Sequence, residues 1–310
     1  MIISEWMAIV NPNACGGNVS QEWPSLSQKL VAAGVSFEVM YTTHRYHAVE
    51  LVIKALRQGY RKFLAIGGDG TIHEIVNGIF LQKDVLCKDV TMAVIPVGSG
   101  NDWYRMNKIP LNHQGAIEVF LRNRTILQDV AKVTYVESGV TNVRYMSNGC
   151  GVGLDANICL RCNIAKNKGK GGASSYVKAA FLSLIGRRSH KGEVMLDGKS
   201  FFRGNIFSVA VGIGKYSGGG MIQVPDAIVD DGVVSVMVAR RISKIKFLSL
   251  FKYLFNGKVY SIREVSHCSA SKVEIFTDSP DRLEIDGEVL GTTPVKIEVI
   301  PRSLRIVVGE

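Results

Sequence analysis

The chain has 310 residues, 46% hydrophobic and 21% charged, with 37 Lys and Arg against 27 Asp and Glu and a net charge of +10. That length argues for two domains, the composition excludes a disordered or fibrous chain, and the basic excess favours an anionic partner such as nucleotide phosphate, nucleic acid or a membrane surface. No apolar run reaches the roughly 18 residues needed to cross a bilayer, and the start Met1-Ile2-Ile3-Ser4-Glu5-Trp6 lacks the pattern of a secretory signal. The expectation is a cytoplasmic protein, soluble or peripheral at the inner membrane surface, with its six scattered cysteines reduced.

Residues 6–10, Trp-Met-Ala-Ile-Val, read as a first strand ending in the turn-rich Asn11-Pro12-Asn13-Ala14-Cys15-Gly16-Gly17. A helix is expected from about Trp23 to Ala33, a strand from Val35 to Thr42, and a helix from Tyr46 to Gln58. Lys62-Phe63-Leu64-Ala65-Ile66 then reads as a buried strand, and Ile72 to Phe80 as a helix with apolar residues three and four apart. Between them stands Gly67-Gly68-Asp69-Gly70-Thr71. Glycines there would allow positive φ and a close approach of ligand to backbone, and the helix start favours an anion. An Asp would repel a phosphate unless a cation lies between them. The plainer reading is a turn with an N-capping Asp.

Alternating strands and helices predict a parallel sheet with helices on both faces, in which ligands bind beyond the carboxyl ends of the strands. The strand Thr91–Ile95 ends in Pro96-Val97-Gly98-Ser99-Gly100-Asn101-Asp102. Asp69 and Asp102 on neighbouring strand ends would make a magnesium site by charge. No Walker-type GxxxxGK[ST] loop occurs, so a nucleotide would be held by another architecture.

Gly67 to Thr71, followed about thirty residues on by Gly98-Ser99-Gly100-Asn101-Asp102 and preceded by the Asn11-Pro12…Gly16-Gly17 loop, resembles the diacylglycerol kinase catalytic-domain family in its bacterial lipid kinase branch, related to sphingosine and ceramide kinases. Gly-Gly-Asp-Gly alone also occurs in NAD kinases and phosphofructokinases; the second loop separates this sequence from both. The resemblance implies an α/β N-terminal domain with a Rossmann-like parallel sheet and a mainly antiparallel all-β C-terminal domain. The expected domains are residues 1–130, with the last strand near 300–310 returning to them, and residues 131–300. It implies ATP and magnesium. The ATP contacts would be Asn11, Pro12, Gly16, Gly17, Thr42, Gly67, Gly68, Asp69, Gly70, Thr71, Gly98, Ser99, Gly100 and Asn101. Asp69, Asp102 and Asp129 would form the catalytic magnesium network. Three departures from the pattern, Ser99 for the commoner Thr, His73 for Asn and Ala14-Cys15 for Ser or Thr, delete no acid.

Past a helix near Gln114–Leu121, strands are expected to dominate. Asn148 to Asp155 only faintly resembles a dinucleotide fingerprint, since no confirming helix is evident, and is read as a structural turn. Cys159-Leu160-Arg161-Cys162 lacks the second pair or the histidines of a zinc site. Lys166 to Gly172 reads as a basic loop, and Ser174–Ile185 and Lys244–Phe255 as helices with apolar stripes beside basic residues. Such helices can lie on an anionic membrane or pack on a core. No aromatic residues interleave with clustered bases, which argues against nucleic acid.

Pro225 to Val233 reads by itself as an Asp-Gly turn; the resemblance implies a structural magnesium held by the carbonyls of Ile228 and Val233 and the carboxylate of Asp231. Asp286-Gly287-Glu288 reads as a hairpin turn; the resemblance makes it the catalytic turn, with Asp286 or Glu288 as base and a slight preference for Asp286. The function implied is an ATP- and magnesium-dependent kinase acting on a lipid hydroxyl, of diacylglycerol or a similar lipid, from a site between the domains, with homodimerisation left open. The rivals are an NAD kinase-like phosphotransferase and a non-catalytic, nucleotide-responsive membrane-binding module.

Overall fold

The computed structural model describes residues 5–97, 102–167, 173–187, 189–243, 246 and 250–310. The chain forms two compact units, Met1–Gln128 with Arg302–Glu310, and Asp129–Pro301.

In the first unit, strands β1 (Trp6–Val10), β2 (Phe37–Tyr41), β3 (Lys62–Gly67) and β4 (Thr91–Pro96) alternate with helices α1 (Asn18–Ala32), α2 (His47–Arg57) and α3 (Asp69–Leu81), and α4 (Asp102–Met106) and α5 (His113–Arg122) follow. β1 pairs in parallel with β2 and β3, and β3 in parallel with β4. Every residue of β1 and β4 is buried, as are five of the six in β3. Continuous apolar runs such as Phe63-Leu64-Ala65-Ile66 are what a strand covered on both faces requires. Each fully buried Ile or Leu there contributes about 1.5–3 kcal/mol.

Helix ends follow local chemistry. Asn112 Oδ1 accepts from Gly115 N at 2.8 Å at the start of α5, and Asn123 closes the helix at φ +49°. α2 starts after Tyr46 at φ +65°, and its first amides are taken from another element: Tyr46 N and Ala48 N donate to the Glu74 carboxylate of α3 at 3.0 and 3.1 Å. A carboxylate at a helix N-terminus also meets the positive end of the dipole.

The second unit carries β5 (Thr125–Glu137, entering from the first unit), β6 (Val140–Met146), β7 (Gly149–Gly153), α6 (Leu154–Asn167), α7 (Ala173–Gly186), β8 (His190–Leu196), β9 (Lys199–Gly212), the two-residue strands β10 (Tyr216–Ser217) and β11 (Met221–Ile222), β12 (Val234–Arg240), β13 (Val265–Ala270), β14 (Lys272–Thr277), β15 (Arg282–Ile285) and β16 (Glu288–Val307). Its strand pairs are antiparallel. They enclose a core that includes Val133, Val152, Val194, Val209, Val236, Ile275 and Ile297. β16 ends in the first unit, where Arg305 and Ile306 pair in parallel with Thr91 and Met92 of β4.

An all-β second unit is not what forms. α6 and α7 pack Leu154, Ile158, Ala180 and Leu184 with Phe207 into a core of their own. The stretch read as a structural turn is instead strand β7 running directly into α6. Of the stripe expected on the 174–185 helix, Ala180 and Leu184 are buried while Phe181 is 46% exposed; the side chains of Tyr176, Val177 and Ile185 lie outside the described residues. The basic segment 168–172 and positions 244–245 and 247–249 of the second expected helix also lie outside them, and Phe251–Leu254 forms a short 3-10 turn.

Candidate active site

The parallel register brings the carboxyl ends of four strands to one level. Val10 lies opposite Tyr41 and Ile66, and Gly67 opposite Pro96. Asn11 N donates to Ile66 O at 3.1 Å and Thr42 N to Val10 O at 2.9 Å, so the pairing continues into the loops. Among the side chains expected on nucleotide, Asn11 Nδ2 donates to Thr71 Oγ1 at 3.3 Å, which ties the first loop to the Gly-Gly-Asp-Gly turn. Thr42 is buried, Pro12 is half-buried, and Gly16 and Gly17 take φ +73° and +93°, a left-handed stretch that only glycine enters readily. Gly98, Ser99, Gly100 and Asn101 lie outside the described residues.

The glycines of the turn have a different purpose from the one expected. None of Gly67, Gly68 and Gly70 has positive φ; Gly68 is extended at φ −100°. At Gly67 the need is space, because a Cβ would lie 2.3 Å from Thr71 Oγ1. Asp69 is not the N-cap either. It is the first residue of α3, behind Gly68, and no side chain caps that end. Asp102 holds the equivalent place at the start of α4 and is 6% exposed. Asp69 Oδ1 and Asp102 Oδ1 are both withdrawn from solvent. Carboxylate oxygens at two such helix starts are the donor type that a hard divalent cation takes. Tyr104, which the sequence did not single out, ties α4 to the end of β3: its hydroxyl donates to Gly67 O at 2.5 Å.

In the second unit Asp129 is fully buried, and its Oδ2 accepts from Gly232 N at 2.7 Å while its amide donates to Val229 O at 2.7 Å. It is therefore engaged with the 228–233 loop, the segment expected to hold a structural cation. In that loop Asp231 Oδ1 accepts from Val233 N at 3.2 Å, and Ile228 is exposed.

Asp286 and Gly287, at φ +49° and +86°, form the tight turn between β15 and β16 with Ile285 paired to Glu288; two consecutive left-handed residues make Asp-Gly the favoured pair. The Asp286 carboxylate lies in a cradle of donors: Ser147 N at 2.9 Å, Ser147 Oγ at 3.3 Å, Asn148 N at 3.0 Å and Gly149 N at 2.9 Å. Four donors hold the carboxylate in one orientation. Glu284, on β15 two residues before Asp286, accepts from Gly287 N at 2.9 Å. Burial, with Asp155, Asp286 and Glu288 nearby, pushes its pKa up to about 8. Asp155, at the start of α6, accepts from Ser208 Oγ and Gln223 Nε2, both at 2.9 Å, yet burial lifts it to about 6. Gly151 makes this pairing feasible: a Cβ there would lie 2.6 Å from Asp155 Cβ and 3.0 Å from Glu284 Oε1. Asp155, Ser208 and Gln223 are the polar members of the lining of a small cavity of about 60 Å³, whose other walls are apolar side chains, among them Leu154, Ile158, Phe207, Met237, Phe251 and Ile262.

Residues 5–133 match the family model described as the diacylglycerol kinase catalytic domain, and residues 149–308 match the YegS C-terminal NAD kinase beta sandwich-like domain. The chain belongs to the diacylglycerol kinase catalytic-domain family. It is 25% identical over 299 residues to a diacylglycerol kinase of Bacillus subtilis (strain 168), covering 96% of this chain and 94% of that one. A crystal structure of a diacylglycerol kinase from Bacillus anthracis str. Sterne shares the fold at TM-score 0.73 and 21% identity, over 100% of this chain and 98% of that one. Yeast NADH kinase complexed with NADH superposes more loosely, at TM-score 0.55 and 11% identity over 99% of this chain and 84% of that one. Membership of the diacylglycerol kinase family supports a lipid kinase activity.

Asn148, Gly149 and Asp155 belong to the stretch that the sequence presents as a structural turn, Glu284 adjoins the Asp286–Glu288 turn, and Tyr104 and Ser147 belong to no motif.

Proposed function

We propose that the protein is an ATP- and magnesium-dependent lipid kinase that phosphorylates the hydroxyl of diacylglycerol or a similar lipid. The observation that carries this reading is the match of residues 5–133 to the diacylglycerol kinase catalytic domain, in the unit where Asn11, Thr42 and the Gly67–Thr71 turn stand at one level of a parallel sheet.

On the nucleotide side, Asn11, Pro12, Gly16, Gly17, Thr42 and the Gly67–Thr71 turn hold the triphosphate, together with Gly98, Ser99, Gly100 and Asn101. The uncapped start of α3 contributes its dipole. Asp69 and Asp102 hold the magnesium, with Asp129 beside the 228–233 loop in a supporting place. Bound there, magnesium supplies charge neutralisation on the transferring phosphate. The carbonyls of Ile228 and Val233 and the Asp231 carboxylate hold a second, structural ion.

On the acceptor side, Glu288 takes the proton of the lipid hydroxyl, and Asp286, committed to its cradle, holds the turn in shape. Exposed Phe181 and Leu182 of α7, beside exposed Lys178, give the protein an amphipathic edge for an anionic membrane surface.

The assay is transfer of labelled γ-phosphate from ATP, with magnesium, to a total lipid extract, the product identified by mass spectrometry. A labelled lipid that disappears in Glu288→Gln and Asp69→Ala is the expected result. The likeness to yeast NADH kinase favours one second reading, phosphorylation of a nicotinamide dinucleotide. Label on NAD or NADH and none on lipid would replace the first reading with that one.

A further inference from the structure

One face of α6 is polar where a helix against a sheet is normally apolar. Asp155, Cys159 and Asn163 recur every four residues and so share that face. All three meet the β15–β16 hairpin. Asp155 lies beside Glu284. Cys159 Sγ and Asn163 Nδ2 both donate to the carbonyl of Gly287, each at 3.0 Å, and Asn163 Nδ2 also reaches Cys159 Sγ at 3.6 Å. Asn157 Oδ1 adds a fourth tie, accepting from Arg282 Nη1 at 2.9 Å.

We infer that Cys159 and Asn163 are positioning residues for the catalytic turn: they hold the Gly287 carbonyl while the 147–149 amides hold Asp286, and the two grips together aim Glu288. The inference rests on the reading of Asp286–Glu288 as the catalytic turn. The cradle fixes the carboxylate of the turn's first residue, Glu284 Oε2 accepts from Gly287 N, and the Gly287 carbonyl belongs to the peptide that joins the turn to Glu288. Fixing both leaves the bond into Glu288 with a defined direction. Small displacements at a reacting group cost large factors in rate, so a grip of this kind acts on turnover more than on nucleotide affinity. The thiol serves here as a hydrogen-bond donor, a use for which serine is the nearest substitute. This also gives the Cys159–Cys162 spacing a reading with no metal in it.

The test uses the full-length protein. Cys159→Ala and Asn163→Ala are each expected to lower kcat about tenfold and the double variant about a hundredfold, with KM for ATP within about twofold of wild type. Cys159→Ser should recover most of the rate. The pH at half-maximal kcat should move by about half a unit in the alanine variants and return in the serine one, a response that a purely structural loss would not give. Should Asn163→Ala fail to fold, carbamidomethylation of the folded wild-type protein decides: loss of kcat in step with modification of Cys159, absent in Cys159→Ser, supports the inference. Full activity with Cys159 completely modified overturns it. Wild-type kcat in the double variant, with Glu288→Gln inactive, also overturns it and leaves the turn's role standing. Full activity in Glu288→Gln overturns the reading of the turn itself.

Discussion

The two units build their sites by opposite means. In the first, the candidate groups sit in short stretches just past strand ends. The register of β1, β2, β3 and β4 brings Asn11, Thr42, Gly67 and Pro96 to one edge. In the second, the acids around the turn come from residues 155 and 284–288, and the groups that hold them from 147–149, 159, 163, 208 and 223. A strand-end site can therefore be written as a motif, whereas a hairpin-turn site is assembled by tertiary contact. Substitutions in the first unit should act through the ligand they hold, and those in the second through the shape and charge state of the turn.

The largest expected effect is in the first unit. Asp69→Ala should abolish phosphate transfer to lipid, a loss of at least about a thousandfold, with the melting temperature little changed because the residue opens a helix without capping it. Full transfer in that variant would break the comparison at its root.

A smaller effect tests the second unit through pH. The Glu284 carboxyl has its pKa raised to about 8 in the folded protein, against an ordinary value of 4.5. Between those values the folded state keeps a proton that the unfolded state has released, so stability falls as pH rises from about 4.5 to 8 and levels off above. Asp155, raised from 3.8 to about 6, adds a loss of the same sign over its own window. Glu284→Gln removes the larger contribution. Its melting temperature should exceed wild type by a few degrees at pH 8.5 and match it near pH 4. A gap that is constant across pH would show that the carboxyl is not held protonated.

The smallest effect concerns the 228–233 loop. Added magnesium should raise the melting temperature by about 2–4 °C in Asp69→Ala and leave the double variant Asp69→Ala with Asp231→Ala unmoved. Equal shifts in the two would remove the loop from the list of cation sites.

What the sequence disclosed follows the same division. Strands β1, β3 and β4 were legible because burial on both faces leaves unbroken apolar runs, and α2 because its buried Ala48, Val52, Ala55 and Leu56 recur at helical spacing. α6 was not legible. The face it turns to the β15–β16 hairpin carries Asp155, Cys159 and Asn163, so the apolar stripe of Leu154, Ile158 and Cys162 that packs with α7 is narrow. The reason for Gly67 was hidden for a similar cause: close contact with Thr71 Oγ1, four residues on, is invisible to a rule that associates glycine with left-handed backbone. The small cavity needed side chains from 154 to 265 to converge, and no local pattern announces that.

The path of β16 has a consequence for how the protein is made. Its closing residues, with Leu304, Ile306 and Val307 buried, complete the sheet that Trp6–Val10 began. A ribosome emits the other strands of the first unit early and their last partner some two hundred residues after β4, once all of the second unit has been made. At synthesis rates of about 5–20 residues per second, β4 waits roughly ten to forty seconds with one edge uncovered, a window in which a chaperone or a neighbouring nascent chain could occupy the place that Arg305 and Ile306 will take.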